Sequence, residues 1–198
     1  MPFAHNVSNA TAALACLALL GFDPGDFRGA LAEFPGVPGR IERIDSNGFT
    51  VFVDYAHTPD AFENILSEAR RLEPARILTL FGCGGDRDPF KRPEMTRIAY
   101  RYSDFVILTS DNPRTEEPGE ILRQMRAGLP AGPVPNVLEI PDRQEAIGEI
   151  LALAEPGDVV FILGKGHEDY QILGTERVPF DDREIVRSFL KRRKHVTL

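Results

Sequence analysis

The sequence predicts an α/β domain, in which helices cover both faces of a mostly parallel, Rossmann-like sheet. Continuous apolar runs such as "FTVFVD" (49–54) and "FVILTS" (105–110) alternate with helical patterns, which is typical of strands buried on both faces. Glycine and charged residues follow each run at once, as expected at the carboxyl ends of parallel strands. The 198 residues, 42% hydrophobic and 27% charged, suit one soluble domain plus a short additional segment.

The first 36 residues form that additional segment in our interpretation. "ATAALACLALL" (10–20) predicts a buried, Ala-rich helix, with Ser8 or Asn9 as its N-cap and Gly21 at its end. No Lys or Arg precedes the run, and it is shorter than the roughly 20 residues that span a bilayer, so we exclude a signal peptide and a membrane span. "EFPGVPGR" (33–40) is typical of a linker and separates predicted domains at 1–36 and 37–198.

The next part of the chain repeats a strand–loop–helix pattern. After the strand near 50, Thr58 and Pro59 predict the N-cap and first residue of a helix. "ARILTLFGC" (75–83) predicts a second strand, followed by a helix at about 93–101. "DFVILTS" (104–110) predicts a third strand, and Pro118 opens the helix after it.

The last third of the sequence continues the same pattern. Asp142 and Glu145 predict a capping box at the start of a helix. "DVVFIL" (158–163) predicts the fourth buried strand, and "DDREIVRSFLKRR" (181–193) predicts a closing helix with acids first and bases last. Short strand-like stretches at 39–44 and 171–180 predict antiparallel edges.

Polar residues that follow the four predicted strands indicate a binding site. The loops are "DYAHTPD", "GCGGDRD", "SDNPR" and "GKGHED", and ligands of open parallel sheets bind at the carboxyl ends of the strands. Arg87, Asp111, Arg114 and Glu168 offer two guanidinium groups and two carboxylates. This mixture suits a small zwitterion, because the guanidinium forks bind carboxylates and the acids bind ammonium groups.

Composition and missing motifs exclude several other classes of protein. The net charge of −7 and the absence of a basic stripe argue against a nucleic-acid partner. No stretch matches a complete phosphate-binding loop, a metal-binding histidine spacing or the hydrolase G-x-S-x-G motif, and no metal site is predicted within the chain. Cys16 and Cys83 are isolated, which indicates a reducing, cytoplasmic compartment.

The loop sequences resemble a known family. "HNVSNATAALA", "GR" (39–40), "DYAHTPDA", "GCGGDRD", "KRPEM", "SDNPRTEEP" and "GKGHEDYQ" follow the order found in the C-terminal part of the Mur ligases. "DNPR" resembles the signature of those members that add meso-diaminopimelate, whereas lysine-adding members have another residue in place of the Arg. The resemblance implies an ATP-dependent amide-bond ligase of peptidoglycan synthesis, which extends UDP-N-acetylmuramoyl-L-alanyl-D-glutamate and uses ATP and Mg²⁺.

The resemblance also implies roles for particular residues. The family's contacts to diaminopimelate match Arg87, Asp111, Asn112, Pro113, Arg114, Gly164 and Glu168. Family positions near the nucleotide match Asn9, Arg40, Asp54 and His57, and further candidates are Lys91, Lys165 and His167. Asn9 could instead be only a helix cap, and Asp54 and His57 only polar groups at a strand end.

Two departures from the family pattern qualify these expectations. Phe90 stands where the family usually has Gly, which changes the loop but leaves Arg87 and Lys91 in place. The family's UDP-sugar-binding domain and the phosphate-binding loop of its central ATPase domain have no counterpart in the sequence. We therefore expect residues 1–36 to be a helical remnant of the central domain, and the chain to be inactive by itself. Two alternatives stay open: a stand-alone, non-catalytic binding module for a zwitterionic amino acid or peptide, and specificity for ornithine or another diamine.

Overall fold

The computed structural model describes residues 4–46 and 48–196. They divide into two compact units, Met1–Gly36 and Val37–Leu198. The first unit contains helix α1 (Ala4–Leu19), a 3₁₀ turn (Pro24–Phe27) and helix α2 (Arg28–Glu33). None of the described helices is both long enough and apolar enough to cross a membrane.

Helix α1 differs from its prediction in two respects. It begins at Ala4, so Ser8 and Asn9 lie within the helix and cannot be its N-cap. None of its described side chains is buried, and Leu19 is 89% exposed, so the prediction of a buried helix was wrong for this chain. Gly21 follows the end of the helix with a φ of +87°, as predicted for a helix stop.

The second unit is built on a six-stranded sheet. Its strands are β1 (Glu42–Asp45), β2 (Thr50–Asp54), β3 (Ile77–Cys83), β4 (Phe105–Ser110), β5 (Val137–Glu139) and β6 (Val159–Leu163). They lie in the order β1-β2-β6-β3-β4-β5. All neighbouring pairs are parallel except β1–β2. This confirms the predicted mostly parallel sheet and the antiparallel strand near 39–44. The short, half-exposed strand β5 was not predicted.

Helices cover both faces of this sheet, as predicted. They are α3 (Pro59–Arg71), α4 (Lys91–Tyr102), α5 (Pro118–Arg126), α6 (Arg143–Leu153) and α7 (Asp182–Val196). Residues of α6 and α7 share one buried cluster with alternate residues of the strands, such as Leu80 and Ile162. On the other face, α3 places Phe62 edge-on against Phe81, with ring centroids 4.9 Å apart. The alternation of side chains along a strand explains why one strand serves both layers.

The stretch predicted as a second antiparallel edge forms a separate hairpin. Strands β7 (Tyr170–Leu173) and β8 (Glu176–Pro179) pair with each other in a two-stranded sheet, and Leu173 also forms an isolated parallel bridge with Arg114. The backbone of Arg114, in the loop after β4, donates to the carbonyl of Ile172 at 3.1 Å. The hairpin therefore lies against the predicted binding loops, where it can shape the site.

Candidate functional site

Four loops meet at one edge of the main sheet. They follow β2, β6, β3 and β4, which are neighbours in parallel register, so their carboxyl ends lie side by side. The predicted residues in these loops or next to them are Asp54, His57, Arg87, Lys91, Asp111, Asn112, Pro113, Arg114, Gly164, Lys165, His167 and Glu168. The turn that carries Arg40 also lies at this edge of the sheet, since a Cβ on Gly39 would lie 2.0 Å from the backbone nitrogen of His167. Asn9 lies in the other unit.

The loops after β3 and β4 are joined by hydrogen bonds. The backbone of Gly85 donates to the carbonyl of Asn112 at 2.9 Å, and Arg114 Nη1 donates to the carbonyl of Gly85 at 2.8 Å. Thr115 Oγ1 donates to Asp86 Oδ1 at 2.8 Å. These contacts bring the segment that carries Arg87 against the segment that carries Arg114.

Arg114 combines a fixed backbone with a partly available side chain. Its φ is +52°, and its carbonyl accepts a hydrogen bond from the backbone of Gly174 at 2.8 Å. Within the described residues, its guanidinium donates only through Nη1, to the carbonyls of Gly85 and Asn112. The remaining N–H groups can bind a carboxylate. Arg87 is exposed, and among the described residues its side chain donates only to the carbonyl of its neighbour Asp86, at 3.3 Å.

Asn112, Lys165 and Glu168 form a polar cluster beside Arg114. Lys165 is fully buried, and its Nζ donates to Asn112 Oδ1 at 3.2 Å and to Glu168 Oε2 at 3.1 Å. Asn112 Nδ2 donates to the same Glu168 oxygen at 2.9 Å. Burial alone would raise the pKa of Glu168, but the hydrogen bond from Asn112 and the charge of Lys165 outweigh it and lower that pKa. Glu168 is therefore held as a carboxylate in the site.

Asp111 offers a second carboxylate, beside the positive charges of Arg143 and Lys165. The side chain is only 8% exposed, and no described residue donates a hydrogen bond to it. A Cβ on Gly164 would lie 2.6 Å from Asp111 Oδ2, so only glycine leaves this space open. Burial raises the pKa of Asp111, and the positive charges of Arg143 and Lys165 partly oppose this rise. A buried carboxylate without a donor is costly unless a cationic ligand group binds it.

Two of the predicted nucleotide residues, Arg40 and His57, lie against the ring of Tyr55, which sequence reasoning did not single out. The guanidinium of Arg40 lies over the Tyr55 ring, 4.7 Å from its centroid. The rings of His57 and His167 approach the same ring at 4.7 Å and 5.0 Å. Lys91 Nζ donates to the carbonyl of His57 at 2.8 Å. The result is an aromatic, cationic surface beside the site.

Asp54 stabilises the backbone next to Tyr55. It is 6% exposed, and its carboxylate accepts hydrogen bonds from the backbones of Ile41 and Ala56, both at 2.7 Å. These bonds tie the turn that carries Arg40 to the loop that carries His57. The structure thus supports the alternative of a strand-end polar group for Asp54, and it leaves a contact to a nucleotide untested.

Sequence reasoning also missed two fully buried arginines behind the loops. Arg143 donates two hydrogen bonds to the carboxylate of Asp182, and also donates to the carbonyls of Ser110 at 3.2 Å and Leu163 at 3.1 Å. Arg92 lies behind the loops after β3 and β4. No local pattern reveals either residue, because an Arg near a helix start normally indicates a solvated position.

The described part of the chain contains no cluster of metal-ligand side chains. No group of three or more His, Cys, Asp or Glu side chains there is arranged to hold a metal ion. The chemistry of the edge is instead that of a charge-pairing site, with guanidinium groups for carboxylates and carboxylates for ammonium groups.

Comparisons with known proteins agree with this fold and with the loop sequences. The family described as Mur ligase, glutamate ligase domain, matches residues 39–166. A UDP-N-acetylmuramoyl-L-alanyl-D-glutamate–2,6-diaminopimelate ligase from Thermosynechococcus vestitus is 52% identical over 191 residues, which cover 95% of this chain and 38% of the relative. A ligase of the same name from Geobacillus kaustophilus is 49% identical over 189 residues, with the same two coverages. This chain thus spans less than two fifths of the length of these relatives.

Solved structures give the same result. The structure of a UDP-N-acetylmuramoyl-L-alanyl-D-glutamate–2,6-diaminopimelate ligase superposes with a TM-score of 0.77 at 42% identity, covering 98% of this chain and 39% of that protein. A folylpolyglutamate synthase from Thermotoga maritima superposes with a TM-score of 0.61 at 23% identity, covering 80% of this chain and 35% of that protein. The second likeness shows the fold alone.

Proposed function

Because the chain belongs to the Mur ligase family, we propose that it is the amino-acid-binding part of a ligase that adds meso-diaminopimelate to UDP-N-acetylmuramoyl-L-alanyl-D-glutamate. One observation carries this proposal. At one sheet edge, the loop after β4 carries both Arg114, which keeps N–H groups available, and the buried carboxylate of Asp111, to which no described residue donates a hydrogen bond. This combination suits a ligand with both a carboxylate and an ammonium group.

Each residue of the site has a role in this proposal. Arg114 binds the carboxylate that distinguishes diaminopimelate from lysine, and the exposed Arg87 binds a second carboxylate. Asp111 and Glu168 bind ammonium groups, and Gly164 leaves the space for them. Asn112 has both ends of its amide bonded to protein groups, and Pro113 restricts the backbone. These two residues shape the loop that presents Arg114.

The incoming amine attacks an activated carboxyl group in this proposal. The resemblance to the family implies an acyl phosphate on the dipeptide carboxylate, from which the amine nitrogen displaces phosphate as the new C–N bond forms. The attacking nitrogen must lose protons to form an amide. Asp111, whose pKa is raised by burial, is placed to hold such a nitrogen.

Part of the binding site for ATP, the predicted cofactor, can be formed by residues of this chain. The aromatic and cationic surface formed by Arg40, Tyr55, His57, Lys91 and His167 suits stacking with a base and pairing with phosphates. ATP supplies the phosphoryl group when bound. Asn9 belongs to this proposal only by resemblance to the family. No group of three or more His, Cys, Asp or Glu side chains among the described residues is arranged to hold Mg²⁺, and in this proposal the ion would be held mainly by the family's central domain.

The remaining partners follow from the same proposal. UDP-N-acetylmuramoyl-dipeptide would be bound mainly by family domains that have no counterpart in this sequence. Residues 1–36 would then be the end of the family's central ATPase domain, and 37–198 its amino-acid-binding domain. A cytoplasmic location fits a ligase that uses ATP, and it fits the unpaired cysteines Cys16 and Cys83.

Calorimetric titration of the chain with meso-diaminopimelate, L-lysine and L-ornithine tests the proposal. We expect diaminopimelate to bind at least about tenfold more tightly than either diamine, because only diaminopimelate satisfies the Arg114 fork. Equal affinity for all three would contradict the assigned substrate. Tightest binding of ornithine would establish the alternative specificity, and binding without ligase activity in any longer protein that contains this chain would favour a non-catalytic binding module.

A further inference from the structure

Three consecutive residues of the loop after β3 are held by three charged side chains. The carbonyl of Gly84 accepts from Arg92 Nη2 at 2.9 Å, and the carbonyl of Gly85 accepts from Arg114 Nη1 at 2.8 Å. The backbone of Asp86 donates to Glu116 Oε1 at 2.6 Å. The Gly85 carbonyl, which accepts from Arg114, therefore lies between the contact of Arg92 to Gly84 and the contact of Glu116 to Asp86.

Arg92 and Glu116 themselves form a bidentate ion pair. Arg92 Nη1 and Nη2 each donate to one Glu116 oxygen at 2.8 Å, and Nη1 also donates to Gln124 at 2.7 Å. Arg92 is fully buried, and no residue that the structure describes accepts a hydrogen bond from its Nε. The hydrogen bonds from Arg92 lower the pKa of Glu116, so Glu116 remains charged at neutral pH. A buried guanidinium is costly to desolvate, and this one is placed behind a binding loop.

The loops after β3 and β4 are closely packed against each other. A Cβ on Gly85 would lie 1.9 Å from the carbonyl oxygen of Pro113. Asp86 has a φ of +52°, a left-handed conformation that is uncommon for non-glycine residues, although Asp adopts it more readily than most. Glu116 supplies one contact to this residue through the Asp86 N–H. A shift of this loop would therefore move the support of the Arg114 guanidinium.

We propose that Arg92 and Glu116 are positioning residues that aim Arg114, and that they thereby determine selectivity for a ligand with a carboxylate at its far end. Neither residue contacts the ligand in this proposal. It rests on the proposed function for the identity of that ligand, but the geometry of the loop can be tested without any ligand. Loss of the pair allows the Gly85 carbonyl to move, and the Arg114 fork then no longer meets the carboxylate in a fixed geometry.

The first test compares Glu116→Gln with Glu184→Gln. Both changes remove a Glu–Arg pair at constant size, but Glu184 is exposed and pairs with the half-exposed Arg187 on α7. In calorimetric titrations, we expect Glu116→Gln to weaken meso-diaminopimelate by roughly tenfold and to leave the weak binding of lysine unchanged. Arg92→Lys should behave like Glu116→Gln, because a point charge cannot reproduce the fork. An equal loss of both ligands, or no loss of either, overturns the proposal.

The second test follows amide hydrogen exchange of Gly85 and Asp86 in the chain without ligand. We expect Glu116→Gln to speed their exchange by about tenfold or more while core amides such as that of Leu80 keep their rates, and Glu184→Gln to change neither. Unchanged exchange at Gly85 and Asp86 overturns the proposal. If the wild-type chain does not prefer diaminopimelate, the proposed function fails, and the exchange rates alone then decide whether the pair holds the loop.

Discussion

At the scale of single residues, the polar side chains of the site differ in how many hydrogen bonds they already make to the protein. Glu168 and Asn112 are bonded to Lys165 and to each other, whereas Asp111 has no donor in the described structure. Arg114 lies between these extremes, because one of its nitrogens is engaged and the others are available. The groups that are least satisfied by the protein gain most from a ligand.

Substitution of Arg114 tests its role in specificity. Hydrogen bonds to charged groups contribute about 1.5–3 kcal/mol each, so Arg114→Ala should weaken meso-diaminopimelate by at least about tenfold and leave lysine nearly unchanged. Arg114→Lys should restore little of the loss, since it cannot bind a carboxylate through two N–H groups. Calorimetric titration of wild type and both variants measures these affinities. Equal loss of lysine and diaminopimelate would mean that Arg114 only holds the loop.

The lowered pKa of Glu168 predicts a pH dependence of stability. A carboxyl group whose pKa is lower in the folded chain stabilises it above the unfolded value, near 4.5, and this stabilisation is lost as the pH falls through the folded value. The difference in free energy of unfolding between wild type and Glu168→Gln should thus be largest at neutral pH and shrink below about pH 4. Urea denaturation at several pH values measures it. Glu176→Gln, an exposed change, is the control, and a difference that grows on acidification would contradict the assignment.

At the scale of elements, two helices of the second unit, α3 and α6, begin at a side chain that accepts a hydrogen bond from one of their free N–H groups. Thr58 Oγ1 accepts from Ala61 at 3.3 Å, and Asp142 Oδ1 accepts from Glu145 at 2.8 Å; both N-caps were predicted. Helix α4 starts at Lys91, two residues before the predicted Pro93. Proline is tolerated there because N–H groups in the first turn have no acceptor within the helix.

Removal of the Asp142 cap should weaken α6 and, with it, one face of the sheet. We expect Asp142→Ala to lower the free energy of unfolding by about 1 kcal/mol, and Asp142→Asn to have a much smaller effect because Asn also caps helices. Urea denaturation followed by circular dichroism measures both variants. If Asn and Ala cost the same, the charge of Asp142 near the helix dipole, rather than the hydrogen bond, would be its contribution.

At the scale of the whole molecule, a buried ion pair links the two helices on one face to the binding edge. Arg143 begins α6 and Asp182 begins α7, and both side chains are fully inaccessible. Through Arg143 the pair also holds the last carbonyls of β4 and β6, directly before Asp111 and Gly164. Helix packing and site geometry therefore depend on the same contact.

Removal of one charge of the Arg143–Asp182 pair should strongly lower the free energy of unfolding. We expect Asp182→Asn to cost about 3–5 kcal/mol, because it leaves a buried guanidinium uncompensated, whereas Asp45→Asn in the exposed pair with Arg43 should cost at most about 1 kcal/mol. Urea denaturation compares them. The double change Arg143→Met and Asp182→Leu should be less destabilising than Asp182→Asn, and a larger loss in the double variant would show that the carbonyl contacts of Arg143 dominate.

ATP turnover by the chain alone is expected to be absent. The sequence contains no glycine-rich loop followed by Lys and Ser or Thr, the arrangement that cradles nucleotide phosphates. Phosphate release with ATP, meso-diaminopimelate and UDP-N-acetylmuramoyl-L-alanyl-D-glutamate all present should therefore match a control without protein. Clear turnover would place the phosphate site within these 198 residues and would revise the role given to the surface around Tyr55.

The sequence by itself determined the strands, most helices and the residues of the four loops, because burial on both faces and capping leave local patterns. It did not predict β5, whose ladder is only three residues long, nor the separation of the β7–β8 hairpin from the main sheet. The buried arginines Arg92 and Arg143 were decided by tertiary structure alone, since their partners lie 24 and 39 residues away. Ion pairs between residues so far apart in sequence leave no local sequence pattern. These ion pairs orient the loops, whose residues the sequence predicted but whose arrangement it did not.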